Sequence, residues 1–137
     1  MSTPTASVPE HGTPSEPRTI LVVDDSADLR ELINLVVRRR RTTWQVVATA
    51  TEGQEAIEQA RESQPDVVLL DIAMPIMDGL EALPLIKRAA PGSKVIMLSG
   101  YPFATAGQGA LDAGADGYLE KSDLVRGLIP SLEELLG

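Results

Sequence analysis

Short aliphatic runs alternate with stretches of helical periodicity along most of this chain, and that alternation restricts the fold more than any other feature. The runs are Ile20-Leu-Val-Val, Val46-Val47, Val67-Val-Leu-Leu, Val95-Ile-Met-Leu and a weaker Gly117-Tyr-Leu. They lack polar alternation, as expected of parallel strands covered on both faces. Between them, apolar residues recur at helical spacing: Leu29, Leu32, Ile33, Val36 and Val37 in a first helix, Ala56, Ile57 and Ala60 in a second, Leu80, Leu83 and Ile86 in a third. Strand–helix alternation with right-handed crossovers predicts an α/β domain, a doubly wound five-stranded parallel sheet with helices on both faces.

Punctuation residues refine this. Thr51 and Gln54 have capping-box spacing for the second helix, and Asp78 and Glu81 have an acidic version of it for the third. The fourth helix, within Ala104 to Ala113, is predicted to be weak, because Gly107 and Gly109 each cost about 1 kcal/mol relative to Ala in a helix interior. A last helix carries Leu124, Leu128, Ile129, Leu132, Leu135 and Leu136, and Pro130 should bend it or mark its start. Residues 1–17, rich in Pro, Ser and Thr, are expected to form a disordered tail, with the domain proper over residues 18–137.

A length of 137 residues suits one domain. Twelve Lys plus Arg against twenty Asp plus Glu give a net charge of −8, which repels nucleic acid and anionic lipid. Cysteine is absent, excluding disulfides, thiolate catalysis and Cys-rich zinc sites. The single histidine, His11, falls in the tail, so histidine acid–base chemistry has no candidate in the folded part. No apolar run reaches the roughly 18 residues of a spanning helix and no secretory signal is present, so the expected location is cytoplasmic, without membrane contact.

Chemistry in an open parallel sheet sits at the carboxyl ends of the strands. Asp24-Asp25 follow the first run, Asp71 the third, Ser99-Gly100 the fourth and Lys121 the fifth. Three clustered carboxylates repel one another unless a cation sits among them, and hard oxygen ligands suit Mg²⁺, or Mn²⁺ in its place. A lysine and a hydroxyl beside that metal form a pocket for a dianionic phosphoryl group. With histidine and cysteine unavailable there, a carboxylate is the remaining nucleophile, and Asp71 is central.

These residues are familiar. Asp24-Asp25, Asp71-Ile-Ala-Met-Pro-Ile-Met-Asp-Gly-Leu80, Ser99-Gly100 and Gly117-Tyr-Leu-Glu-Lys121 together resemble the receiver domain of two-component response regulators, over about Thr19 to Leu136. The resemblance implies a flavodoxin-like topology. It implies that Asp71 accepts a phosphoryl group from a sensor histidine kinase, a phosphotransfer protein or a small phosphodonor. Mg²⁺ would be held by Asp25 directly, Asp24 largely through water, Asp71 and the Ala73 backbone carbonyl. Lys121 would pair with phosphoryl oxygens, Ser99 would be the switch hydroxyl and Tyr118 the aromatic switch, while Asp78 and the Met74, Pro75 and Met77 loop would be structural. The only catalysis implied is self-phosphorylation and self-dephosphorylation.

Some positions depart from the family pattern. Ser122 stands where the family very often has a cis proline. Ala73 offers no side chain to orient a hydrolytic water and Tyr101 is placed to shield the phosphoryl group, so slow self-dephosphorylation is expected. Arg38 to Arg41 complement the dipole at the end of the first helix, with a partner site as the second reading. Two other functions fit less well. A Mg²⁺-dependent aspartyl phosphatase needs an acid where Ala73 stands, and a phosphate-independent receiver-like protein-binding module usually loses part of the acidic cluster or the lysine. A flavin site would want a Ser/Thr/Gly-rich loop where Asp24-Asp25-Ser-Ala-Asp28 stands. Output, from a stand-alone receiver or one cut from a longer regulator, is expected through a downstream protein partner. The face of the fourth helix, fifth strand and fifth helix is the expected contact, including a phosphorylation-dependent homodimer.

Overall fold

The computed structural model describes residues 16–136, so all but the last two residues of the expected 1–17 tail lie outside the described residues. The elements run β1 (Arg18–Val23), α1 (Ala27–Arg38), β2 (Trp44–Ala50), α2 (Gly53–Ser63), β3 (Val67–Asp71), α3 (Gly79–Ala89), β4 (Lys94–Ser99), a π-helical turn (Phe103–Gly107) leading into α4 (Gln108–Asp112), β5 (Gly117–Glu120), a 3₁₀ turn (Lys121–Asp123) and α5 (Leu124–Leu136). The five strands form one sheet in the order β2-β1-β3-β4-β5, and every pairing is parallel. Strand order reverses between β1 and β3, which opens the crevice at their carboxyl ends.

The continuous apolar runs are explained by what covers them. Leu21, Val23, Val68, Leu70, Val95 and Met97 pack with Ala56, Ile57 and Ala60 of α2, Leu83 and Ile86 of α3 and Ala110 of α4. Their strand neighbours Ile20, Val22, Val67, Leu69, Ile96 and Leu98 pack on the other side with Ile33 and Val37 of α1 and Leu124, Leu128 and Leu132 of α5. Side chains alternate across a strand, so two apolar layers require apolar residues at every position. Trp44, the only tryptophan, is buried in the second layer at the start of β2, where it pairs with Arg18.

Several local expectations are corrected. The cap of α2 is Glu52, one residue beyond Thr51: its carboxylate accepts from the N–H groups of Gln54 and Glu55, while Glu55 reaches back to the Thr51 N–H. Leu80 does not join the buried stripe of α3, which is Ala82, Leu83 and Ile86; Leu80 is 38% exposed on the first turn. The Asp78–Glu81 capping box forms as expected. Pro130 neither starts α5 nor ends it, and Pro84 lies inside α3, each removing one donor from its helix. The fourth helix starts as a π-helical turn, and Gly107 is needed there: a Cβ would lie 2.0 Å from the Phe103 ring.

Candidate phosphoryl-acceptor site

Each of the residues singled out at the sheet edge leaves a strand end or follows one closely. Asp71 and Ser99 are the last residues of β3 and β4, Asp24 and Asp25 follow β1, and Lys121 follows β5. Asp24 is held by its surroundings: its N–H donates to the Ala50 carbonyl, its Oδ1 accepts from the Ser26 N–H at 2.8 Å, and its carbonyl accepts from Arg30 Nη1 at 2.6 Å. Ser26 in turn caps α1 by accepting from the Leu29 N–H. The turn that starts the helix is therefore the turn that fixes the carboxylate.

Lys121 Nζ lies 3.0 Å from Asp71 Oδ1 and 3.1 Å from Asp24 Oδ2. Both carboxylates are buried, and Asp25 is exposed. Oxygens of Asp24, Asp25 and Asp71 all lie within 4.8 Å of one another. Asp24 Oδ2 is buried and receives no well-directed hydrogen bond, although the ammonium beside it supplies opposite charge. A buried, under-coordinated carboxylate oxygen within a group of three fits a hard divalent cation.

The electrostatics reflect this crowding. Burial, aided by the neighbouring Asp24 charge, pushes the Asp71 carboxyl up to about 6 against the opposing pull of Lys121 and the Ala73 N–H. Burial alone would lower the Lys121 ammonium, but its close pairing with the Asp71 and Asp24 carboxylates raises it above its ordinary value. Lys121 and the Ala73 N–H both engage Asp71 Oδ1, which leaves Oδ2 without a protein donor among the described residues.

The structure brings together Asp24, Asp25, Asp71 and Lys121. Ser99 is buried at the adjacent strand end, with its Oγ accepting from the Tyr101 N–H at 2.9 Å. Tyr118 is half-buried and turned toward the loop after β4, its hydroxyl donating to the Tyr101 carbonyl. Its ring meets the Phe103 ring edge-on, with centroids 5.5 Å apart. Lys121-Ser122 belong to a 3₁₀ turn, with no cis peptide bond among the described residues. Arg38 to Arg41 are all exposed at the far end of α1, about 18 Å of helix from Asp24-Asp25.

Three contributors escaped sequence reasoning. Arg30 holds the Asp24 carbonyl, Glu120 accepts from the Phe103 N–H at 3.0 Å, and Gly79 packs where a Cβ would lie 2.2 Å from the Asp71 carbonyl oxygen. Only Gly79 left a signal, as the glycine ending Met77-Asp78-Gly79 at a helix start.

A parallel 2-1-3-4-5 sheet with carboxylates and a lysine at its carboxyl edge defines a class. The profile of the response regulator receiver domain family matches residues 20–129, and the chain belongs to that family. It is 41% identical over 102 residues to the transcriptional regulatory protein LnrK of Bacillus subtilis, covering 74% of this chain and 46% of that protein. It is 36% identical over 104 residues to the chemotaxis protein CheY of Halobacterium salinarum, covering 76% of this chain and 84% of that one. The chain thus spans about half the length of LnrK and most of CheY. Among solved structures, a LuxR-family two-component response regulator from Aurantimonas sp. SI85-9A1 superposes with a TM-score of 0.81 at 30% identity, covering 88% of this chain and 86% of that one. The response regulator domain of Thermotoga maritima CheB gives 0.77 at 31% identity, covering 87% and 96%.

Receiver domains work in two-component signalling with histidine kinases or phosphotransfer proteins, bind Mg²⁺ at an acidic pocket and are generally not catalytic beyond their own phosphorylation. No helix among the described residues is long and apolar enough to cross a membrane.

Proposed function

We propose that this chain is a phosphoacceptor in a cytoplasmic phosphorelay, taking a phosphoryl group on Asp71 from a histidine kinase or phosphotransfer protein. The observation that carries this reading is the Lys121 ammonium bridging two buried carboxylates, with a third carboxylate within 4.8 Å. Asp71 Oδ2 attacks the phosphorus, the P–N bond of the phosphohistidine breaks, and the departing imidazole keeps that bonding pair and takes up a proton from solvent. Lys121 moves its charge from the carboxylate to a phosphoryl oxygen, and the Ser99 hydroxyl donates a hydrogen bond to another.

Asp24, Asp25, Asp71 and the Ala73 carbonyl would hold Mg²⁺, with Mn²⁺ able to replace it. The bound ion supplies positive charge that neutralises the phosphoryl oxygens in the transition state. Product formation favours a rearranged loop after Ser99, which changes the face formed by α4, β5 and α5 and with it the binding of a downstream protein or a second copy of the chain. An aspartyl phosphatase is disfavoured, because exposed Ala73 occupies the position where such an enzyme carries its acid.

Intact mass after incubation with acetyl phosphate tests this reading. A gain of one phosphoryl group is expected in the wild type with Mg²⁺, and none in Asp71→Asn or in chelator. Labelling that survives Asp71→Asn, or folded wild type that gains nothing from acetyl phosphate and from kinases, would overturn it in favour of a phosphate-independent binding module.

A further inference from the structure

Arg30 carries a charge that its position does not favour. It closes the first turn of α1, where the helix dipole favours anions. It also reaches the backbone of Asp24, one of three carboxylate residues that fit a divalent cation, which a guanidinium repels. Nor is it used in an ion pair: among the described residues these join Lys87 to Asp116 and Lys121 to Asp24 and Asp71. The half-buried Arg30 instead donates through Nη1 to the Asp24 carbonyl at 2.6 Å, while its N–H donates to the Ser26 carbonyl at 3.1 Å. What its side chain supplies is a directed donor.

That donor acts where the three carboxylates are least held. Asp71 Oδ1 is engaged by Lys121 and the Ala73 N–H, and the Asp24 carboxylate by Lys121 and the Ser26 N–H. The Asp25 carboxylate is exposed and makes neither a hydrogen bond nor an ion pair among the described residues, yet it offers an oxygen within 4.8 Å of those of the other two. Its placement comes from the main chain alone. The Asp24 carbonyl and the Asp25 N–H share one planar peptide unit, so gripping the carbonyl fixes the plane from which the Asp25 side chain departs.

We propose that Arg30 is a positioning residue for metal binding: its bond to the Asp24 carbonyl holds the Asp25 carboxylate within reach of an ion shared with Asp24 and Asp71. The inference rests on these three residues being the Mg²⁺ site of the proposed function. Charge and position predict opposite signs. Removing a nearby cation should by itself tighten the binding of a divalent ion. Releasing the peptide plane should weaken it, and loss of a contact that orients a metal ligand typically costs about tenfold or more in affinity.

The test uses Arg30→Met and Arg30→Leu, good helix formers that remove donor and charge together. Urea unfolding in chelator, with the wild-type slope, checks that each variant is folded. Binding of Mn²⁺, counted from the loss of the free ion's paramagnetic resonance signal and repeated with Mg²⁺ as competitor, should weaken about tenfold in either variant. Arg30→Lys, one atom shorter but still a cationic donor, should recover most of that loss. Acetyl phosphate labelling of the Met and Leu variants should be slow at low Mg²⁺ and return to the wild-type rate at saturating Mg²⁺, a split that a merely structural contact would not produce. Equal or tighter metal binding in the folded Met and Leu variants would overturn the proposal. So would an Arg30→Lys no better than Arg30→Met, or a labelling defect that saturating Mg²⁺ leaves in place. A folded wild type that binds neither ion would instead overturn the Mg²⁺ site itself.

Discussion

The Tyr118 hydroxyl donates to the Tyr101 carbonyl at 2.6 Å, and the Tyr101 N–H donates to Ser99 Oγ at 2.9 Å. One residue of the loop after β4 is therefore gripped from both sides, by the proposed switch hydroxyl and the proposed aromatic switch. Any movement of Ser99 toward a phosphoryl group on Asp71 has to break the second bond, and inward rotation of Tyr118 has to break the first.

Tyr118→Phe keeps the ring against Phe103 and removes only the first bond, worth about 0.5–1.5 kcal/mol to the resting loop. Acetyl phosphate labelling should accelerate by roughly twofold to tenfold, with far-UV circular dichroism unchanged. A rate at or below the wild type would show that the bond does not hold the resting state.

Asp71 should make stability depend on pH. Its carboxyl is raised from 3.8 to about 6 in the folded chain, so the folded state binds this proton more tightly than the unfolded state does. The contribution is fully present below about pH 4, falls as pH rises through about 6, and leaves a cost on the order of 2–3 kcal/mol at neutral pH. Asp71→Asn should therefore raise the urea midpoint at pH 7.5 in chelator and change it little at pH 4. Adding Mg²⁺ should narrow the gap by stabilising the wild type more. Equal midpoints at pH 7.5 without metal would contradict this.

The phosphorylated form should be long-lived. Exposed Ala73 has no side-chain group to orient water at the phosphorus, and Tyr101 is bulky and beside Ser99's strand end. Loss of phosphate, followed by mass in Mg²⁺ buffer, should take much longer than seconds and should quicken in Ala73→Asn. A wild-type half-life of a few seconds would sink the idea.

Gly79→Ala should be the costliest small substitution near the site, because its Cβ would lie 2.2 Å from the carbonyl oxygen of Asp71 itself. Backbone must move to relieve it, at a cost of about 2–4 kcal/mol in urea unfolding and with slower labelling of Asp71. Gly109→Ala has open space around it and should be neutral or stabilising.

The layered sheet was legible because two buried faces leave strands with uninterrupted apolar runs, and the acidic edge was legible because strand ends place their following residues together. What escaped has a physical reason in each case. Leu80 has the right helical spacing, but on the first turn of α3 it faces away from the buried Ala82, Leu83 and Ile86 and is 38% exposed. Glu52 is a poor N-cap by preference, so Thr51 looked better. Pro84 and Pro130 are tolerated because the helices that hold them are fixed by packing of Leu83, Ile86, Leu128 and Leu132. The grip on Tyr101 depends on tertiary geometry that no local pattern encodes.

Trp44 sits at the start of β2, at the end of the sheet away from Asp71, sealed between α1 and the strands. Because it is the only indole in the chain, tryptophan emission reads one place alone. Its spectrum should shift on unfolding and stay nearly silent on phosphorylation, which gives a built-in optical gauge of folding that signalling chemistry does not disturb. A phosphorylation-sensitive probe would have to be introduced on the other side of the molecule, beside Tyr101 or Phe103.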